Sequence, residues 1–329
     1  MTKQEFQELV HSGPVLLDGA VGSVLLERGM PRGTPAELWA DAHPEVVLEL
    51  QRAYVDAGSR ILYAPTFQAQ PAALREAGME ARTEALNARL VQLTRRAAGP
   101  GVWVAGDLAT MAASLESFRP ENFHTMTELY RRQIAGLLAG GADLLVAETL
   151  LYPQEAEAVL LAAELEGGAV PVMYSFTMQP DGALFSGQEA GPVLRELEEA
   201  GAAAVGFNCV AASPALPALV ARLRRYVRGL LISKPNAGIP SVSPEGRAVY
   251  PMGAEEFARL QTEAAQMGAG LLGGCCGTTP EYIALLSKEL AGKTVKDVPR
   301  HVPAAVCSAT QAVPIDLSLI HISEPTRPY

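Results

Sequence analysis

Eight short apolar runs, rich in branched residues, recur along this chain, and each is followed by a longer stretch with helical spacing. They are VLLD at 15–18, RILYA at 60–64, VWVAGD at 102–107, DLLVAE at 143–148, VPVMYSF at 170–176, AAVGFN at 203–208, LLISK at 230–234 and GLLGG at 270–274. Near-continuous apolar strands of this kind are buried on both faces, as in a parallel sheet. Eight of them in strict alternation with helices, over about 290 residues, predict a single-domain α/β fold, a closed (β/α)₈ TIM barrel. The competing architecture is a doubly wound open sheet, but no GxGxxG follows the first strand.

The intervening helices carry start and stop signals. Pro44 to Ala57 has apolar positions at Val46, Val47, Leu50 and Tyr54 and stops at Gly58. A second runs from Thr125 to Leu138, ahead of Gly140 and Gly141. Ser213 and Pro214 read as the N-cap and first-turn proline of another. Gly253 to Met267 ends at Gly268, and Thr279-Pro280 opens the last helix.

Composition narrows the partners. The chain has 329 residues, 49% hydrophobic and 19% charged, enough apolar material for a large core. Lys plus Arg total 26 against 36 Asp plus Glu, a net charge of −10, which repels phosphate backbones and anionic lipid. Neither a nucleic acid nor a membrane is expected as a partner. The opening MTKQEFQELV lacks the pattern of a secretory signal, and no run of about 18 apolar residues occurs. Four cysteines are too few for a disulfide framework, and two are adjacent. Together these features lead to the expectation of a cytoplasmic protein with reduced thiols.

Past Leu290 the character changes. Residues 1–292 are expected to form the barrel, and 293–316, containing PRHVPAAVCSATQAVPID, to form a linker toward a downstream domain. The final LSLIHISEPTRPY, 317–329, can be reverse-translated for most of its length into a transposase sequencing adapter, so it is read as an artefact tail. Cys307 lies in the linker and is given no role.

The chemistry concentrates in three other cysteines. Cys209 follows the sixth strand in GFNCV, and Cys275 and Cys276 follow the eighth in LLGGCCGTTP. In a closed barrel all strand C-termini face one rim, where active sites are built. Strands six and eight are one apart around the ring, so the three thiols can converge. Gly273, Gly274 and Gly277 are expected to give the backbone freedom to turn both adjacent cysteines toward one centre. Three thiolates make a soft site suited to zinc, and an open fourth position makes such a site catalytic. Coordination removes the proton of a thiol whose pKa is otherwise about 8.5, so a substrate thiol filling the open position would arrive as a nucleophile. Against this stands plain burial of small apolar cysteines, which fits a lone Cys better than a glycine-flanked pair joined by a third.

These residues resemble the homocysteine-binding domain family, which includes cobalamin-dependent methionine synthase, betaine–homocysteine methyltransferase and stand-alone homocysteine methyltransferases. The similarity covers about residues 10–290. It rests on LLDGAVGSVLLERG, ETLLYPQEAEAVLLA, GFNC and, most specifically, GGCCGTTPEYI. PVMYSFTMQPDGALFSG and KPNAGIP look most like the methionine synthase branch, and VCSATQAVPI like the lead-in to that enzyme's folate-binding domain. The resemblance implies a zinc-dependent homocysteine S-methyltransferase module with zinc on Cys209, Cys275 and Cys276. It further implies that the amino and carboxylate groups of homocysteine are met near Asp18, Gly19 and Glu148. In the methionine synthase branch the methyl comes from methylcobalamin on a downstream module; the alternative is a stand-alone enzyme using S-methylmethionine or betaine. Two segments depart from the family pattern: YAPTF replaces the frequent TNTF on strand two, and GDLATM replaces a glycine- and proline-containing turn after strand three.

Asp18 and Glu148 each end an apolar strand, where a charge needs a cationic partner. That partner is the substrate ammonium, or an arginine such as Arg60. Thr66 either bonds substrate or caps the following segment, and Asn208 either orients a ligand or ties down a loop. Lys234 ends strand seven, the position of a barrel Schiff-base lysine, although an ion pair is the commoner fate. His43 reads as a loop residue, and Trp39 as core or lid.

Overall fold

A computed structural model of the chain describes residues 1–11, 13–111, 120–168, 170–244, 246–293, 305–307 and 312–314. Eight parallel strands form one sheet: β1 (Val15–Leu16), β2 (Ile61–Tyr63), β3 (Trp103–Ala109), β4 (Leu144–Leu150), β5 (Val172–Phe176), β6 (Ala204–Ala211), β7 (Leu231–Asn236) and β8 (Leu271–Leu272). Each of β2 to β7 pairs with its successor. β8 pairs with both β7 and β1. A parallel bridge between Leu17 and Ile61, with the Arg60 amide donating to the Leu16 carbonyl at 2.8 Å, closes the ring. The expected (β/α)₈ barrel is therefore present, and the open sheet is excluded.

Around it lie α1 (Lys3–His11), α2 (Gly22–Glu27), α3 (Ala36–Ala42), α4 (Pro44–Asp56), α5 (Pro71–Glu76), α6 (Thr83–Ala98), α7 (Pro120–Ala139), α8 (Pro153–Leu165), α9 (Ala190–Glu199), α10 (Leu216–Arg224), α11 (Ala254–Gln266) and α12 (Pro280–Leu290). In α4 the apolar face Val47, Leu48, Leu50 and Tyr54 is buried. Gly58 then stops the helix in a left-handed conformation, φ +109°, that a side chain would strain. The helix expected at Ser213-Pro214 begins later, at Leu216, with Pro217 in its first turn. Ser213 instead forms a turn, its hydroxyl accepting from the Ala215 amide at 3.3 Å.

Two apolar layers result. Between strands and helices runs the larger one, including Leu62, Val104, Leu145, Tyr174, Phe207 and Leu272. Inside the barrel the alternate residues Val15, Leu17, Ile61, Tyr63, Ala105, Leu144, Val146, Met173, Ala204, Ile232 and Leu271 fill the lumen. Phe6 of α1, 1% exposed, joins that cluster together with Trp103, Ala203 and Leu230, which mark the strands' N-terminal end. The polar opening segment thus supplies the plug of the barrel floor.

After β7 a hairpin of Ser241–Val242 with Ala248–Val249 interrupts the repeat, an element the sequence reading did not contain. Ala305–Cys307 pairs antiparallel with Ala312–Pro314. The rest of the expected linker and the 317–329 tail lie outside the described residues. No helix among the described residues is long and apolar enough to cross a membrane.

Candidate metal and substrate site

At the C-terminal end of the barrel is a cavity of about 320 Å³ whose lining includes Asp18, Tyr63, Asp107, Glu148, Lys234 and all three rim cysteines. The sulfurs of Cys209, Cys275 and Cys276 lie within 4.8 Å of one another. Thiolates around a tetrahedral metal at about 2.3 Å would sit roughly 3.8 Å apart, so small side-chain rotations suffice to close the set on one ion.

The strands deliver these sulfurs through local irregularities. Strand β6 shifts register against β7 between Asn208 and Ala211, and Cys209 there adopts φ +56°. Strand β4 shifts likewise between Ala147 and Leu150, with Thr149 at φ +58°. These are the two non-glycine residues of positive φ among the described residues. Such conformations cost on the order of 1–3 kcal/mol and persist where surroundings enforce them. Asn236 Nδ2 donates to the Cys209 carbonyl at 3.1 Å, and the Thr149 backbone amide to Asn208 Oδ1 at 2.7 Å.

On the other side, the Cys275 amide donates to the Pro235 carbonyl at 2.7 Å, and the Thr278 hydroxyl to the Cys275 carbonyl at 2.8 Å. The glycines act differently from the expectation. Only Gly277 has a left-handed φ, +80°, and a Cβ there would lie 2.2 Å from the Tyr250 ring. Gly273 and Gly274 are required by close approach instead: their Cβ atoms would meet the Asp18 carbonyl at 2.7 Å and the Thr278 hydroxyl at 2.3 Å.

Without a cation the three thiols share protons. Hydrogen bonds from Cys209 and Cys275, with a further one from Tyr250, hold Cys276 far below the usual thiol range. Hydrogen bonds to Cys275 and Cys276, together with burial, push Cys209 up. Three ionised sulfurs this close repel one another strongly, so full ionisation needs a bound cation.

Below the sulfurs lie buried ionisable side chains, Asp18, Asp107, Glu148 and Lys234 among them. Asp18 Oδ2 accepts the Tyr63 amide at 2.7 Å, and Oδ1 faces Lys234 Nζ at 3.5 Å. Burial pushes Asp18 up to about 6 against the pull of Lys234, and Glu148 up to about 8. Burial, followed by the Glu148 charge, holds Asp107 well above the carboxylate range. For Lys234 burial works against the charge, but Glu148, Asp18 and further anions outweigh it, so its ammonium is held more firmly than in water. The Lys234 ammonium also sits 4.7 Å above the Tyr63 ring. A Schiff base needs a neutral amine, so the pairing opposes that role. Arg60, named as a partner for Asp18, instead donates to the Gly101 carbonyl at 2.9 Å, because it leaves β2 at the opposite end.

Asp18, Gly19 and Glu148 line the cavity with the cysteines, whereas Thr66 and Asn208 stand behind it. The Thr66 hydroxyl donates to the Asp107 carbonyl at 2.8 Å and accepts the Asp107 amide at 3.0 Å, so it fixes that residue's backbone. Asn208 is fully buried. Its Nδ2 donates to Glu148 Oε2 at 3.1 Å and to the Thr149 hydroxyl at 2.7 Å, and lies 3.9 Å from Cys275 Sγ. Its Oδ1 accepts from Ser175 at 3.0 Å. His43 stacks on Trp39 with ring centroids 4.2 Å apart, and Trp39 is buried core. Sequence reasoning missed Asp107, although it ends the third apolar run, VWVAGD, as Asp18 ends the first and Glu148 the fourth.

A closed barrel with thiols at its mouth defines a class; the comparisons define the family within it. The homocysteine S-methyltransferase family model matches residues 15–290, and the chain belongs to that family. It is 27% identical over 300 residues to the methionine synthase of Mycobacterium leprae and 28% identical over 331 residues to that of Mycobacterium tuberculosis. Those matches cover 86% and 94% of this chain but 25% and 27% of the relatives, so the chain spans about a quarter of their length. Among solved structures, the metallated form of the homocysteine methyltransferase MmuM from Escherichia coli is similar, with a TM-score of 0.71, 27% identity and coverage of 84% of this chain and 96% of that one. Its oxidised form matches with a TM-score of 0.69, 29% identity and coverage of 84% and 95%.

Proposed function

We propose that this barrel is a zinc-dependent homocysteine S-methyltransferase module that forms methionine. The observation that carries the reading is the convergence of three cysteine sulfurs, within 4.8 Å, on the cavity wall above buried carboxylates. Cys209, Cys275 and Cys276 would hold the metal; all-sulfur donors select a soft cation such as zinc, and the metallated relative is consistent with an ion here. When bound, zinc supplies the charge that ionises an incoming thiol near neutral pH.

The chain's own residues do the rest. Asn208 braces Glu148 and Thr149 beside Cys275, which holds the rim rigid around the sulfurs. The carboxylates of the cavity receive the substrate's ammonium, and the Gly19 segment at the end of β1 approaches its carboxylate. Seated this way, the homocysteine sulfur points to the rim, where its lone pair attacks the methyl carbon of a donor, the donor bond breaks, and the thioether of methionine results.

The donor we favour is methylcobalamin carried on another module, which the resemblance to the methionine synthase branch implies; the two mycobacterial methionine synthases align with nearly all of this chain over about a quarter of their own length. A small donor such as S-methylmethionine or betaine is the second reading, supported by the match to nearly the whole of MmuM. Supplying the purified chain with homocysteine and either free methylcobalamin or S-methylmethionine, and measuring methionine, separates them. Product from methylcobalamin alone supports the first reading, and product from S-methylmethionine alone replaces it. The absence of product from every donor would reduce the chain to a thiol-binding module.

A further inference from the structure

We propose that Asp107 seats the primary ammonium of the substrate and so sets the specificity of this barrel for an α-amino thiol. The proposal rests on the homocysteine reading above. It adds to the cavity acids Asp18 and Glu148 a residue of a segment, GDLATM, that departs from the family's turn after strand three.

Four carboxylates line the cavity, and they differ in spare capacity; Glu37 accepts the Gln68 amide at 2.8 Å. Asp18 is already matched inside the protein, by the Tyr63 amide at 2.7 Å and by Lys234 Nζ at 3.5 Å. Glu148 accepts from Asn208. The side chain of Asp107 takes no hydrogen bond among the described residues, and its Oδ1 is a buried oxygen without a partner. Asp107 is 5% exposed and lines the cavity, so the small opening its side chain has is toward that space.

A buried carboxylate in this state is costly unless a cation reaches it. Its backbone is pinned through both hydrogen bonds to the Thr66 hydroxyl, which fixes the point on β3 from which the side chain leaves. On the neighbouring strand, Asp107 is in register with Val146, two residues before Glu148, and Glu148 is the strongest charge acting on it. Lys234 supplies one ammonium to three carboxylates and stands closest to Asp18. The remaining deficit is positive charge beside Asp107 and Glu148. A primary ammonium, with three donors, fits it; a second carboxylate or a neutral amide does not.

Titration calorimetry on the zinc-loaded chain tests this with two thiols, L-homocysteine and its desamino analogue 4-sulfanylbutanoate. The unaltered chain should bind homocysteine roughly 10- to 100-fold more tightly, the scale of a charged hydrogen bond. Asp107→Asn should remove most of that preference by weakening homocysteine alone, with binding of the analogue unchanged or improved. Asp107→Ser should do the same, should the asparagine variant fold poorly. Retention of the full preference by both variants would overturn the proposal, most clearly if Glu148→Gln abolished it. Equal binding of the two thiols by the unaltered chain would also overturn it while leaving the methyltransferase reading intact. Failure to bind either thiol would overturn both.

Discussion

Asp107 lies two positions beyond Ala105 on β3, and Glu148 two positions beyond Val146 on β4. Below that step the barrel is filled with Leu144, Ile232, Leu271 and their neighbours and plugged by Phe6. Above it the inward positions carry Asp107, Glu148, Lys234 and Cys275, all buried, with Cys209 and Cys276 partly buried beside them. The same strands therefore serve opposite ends. The lower layer gains from removing apolar surface from water. The upper layer is held in place against its own repulsion, left-handed Cys209 and Thr149 included. Strained backbone and unpaired charge collect where a ligand is to be met, supported by the packed layer beneath.

Mutation should separate the two ends cleanly. Leu144→Ala, in the lumen, should lower unfolding free energy by about 2–5 kcal/mol in urea titrations while leaving metal affinity unchanged. A large loss of metal affinity there would mean that the layers are not independent. Asn208→Ala, at the upper end, should do the reverse. It removes the brace on Glu148 and Thr149, and turnover or metal affinity should fall roughly 10- to 100-fold. An unchanged value would show that the brace is dispensable.

A pH series sharpens the contrast. Burial pushes Glu148 up to about 8 from its ordinary 4.5. Because its folded pKa exceeds the unfolded one, the stability it contributes is full below about 4.5 and is lost as pH rises toward 8. The urea midpoint of the metal-free chain should drop across that window, and Glu148→Gln should flatten the drop. A flat profile for the unaltered chain would mean that the upper carboxylates are already matched. Smallest of all, breaking the exposed Arg259–Glu263 pair with Arg259→Ala should shift stability by less than about 1 kcal/mol. A larger shift would show that this outer helical surface, and not only the barrel interior, carries stability.

The apolar runs foretold all eight strands, because a doubly buried parallel strand has no solvent face to dilute its pattern. The glycine stops after α4 and α11 were equally legible, since each needs a positive φ. Convergence of Cys209 with Cys275 and Cys276 followed from ring closure. Which cation faces Asp18 was legible too, though overlooked: Arg60 opens its run and Lys234 ends its own, so in a parallel barrel only Lys234 reaches the rim. Asp107 was overlooked although VWVAGD ends in it, because a strand-terminal acid declares its burial only in three dimensions. The hairpin at Ser241–Val242 was invisible for a related reason: Val242 is 77% exposed, and no buried alternation marks it.

Metal content and thiol alkylation of the Cys209→Ser/Cys275→Ser/Cys276→Ser chain test most directly whether sulfur from two strand tips creates the reactive centre. The unaltered chain should bind one zinc and accelerate methylation of homocysteine, and the serine chain should fold, bind no zinc and lose that acceleration. Equal zinc content and equal alkylation in the two chains would contradict the assignment.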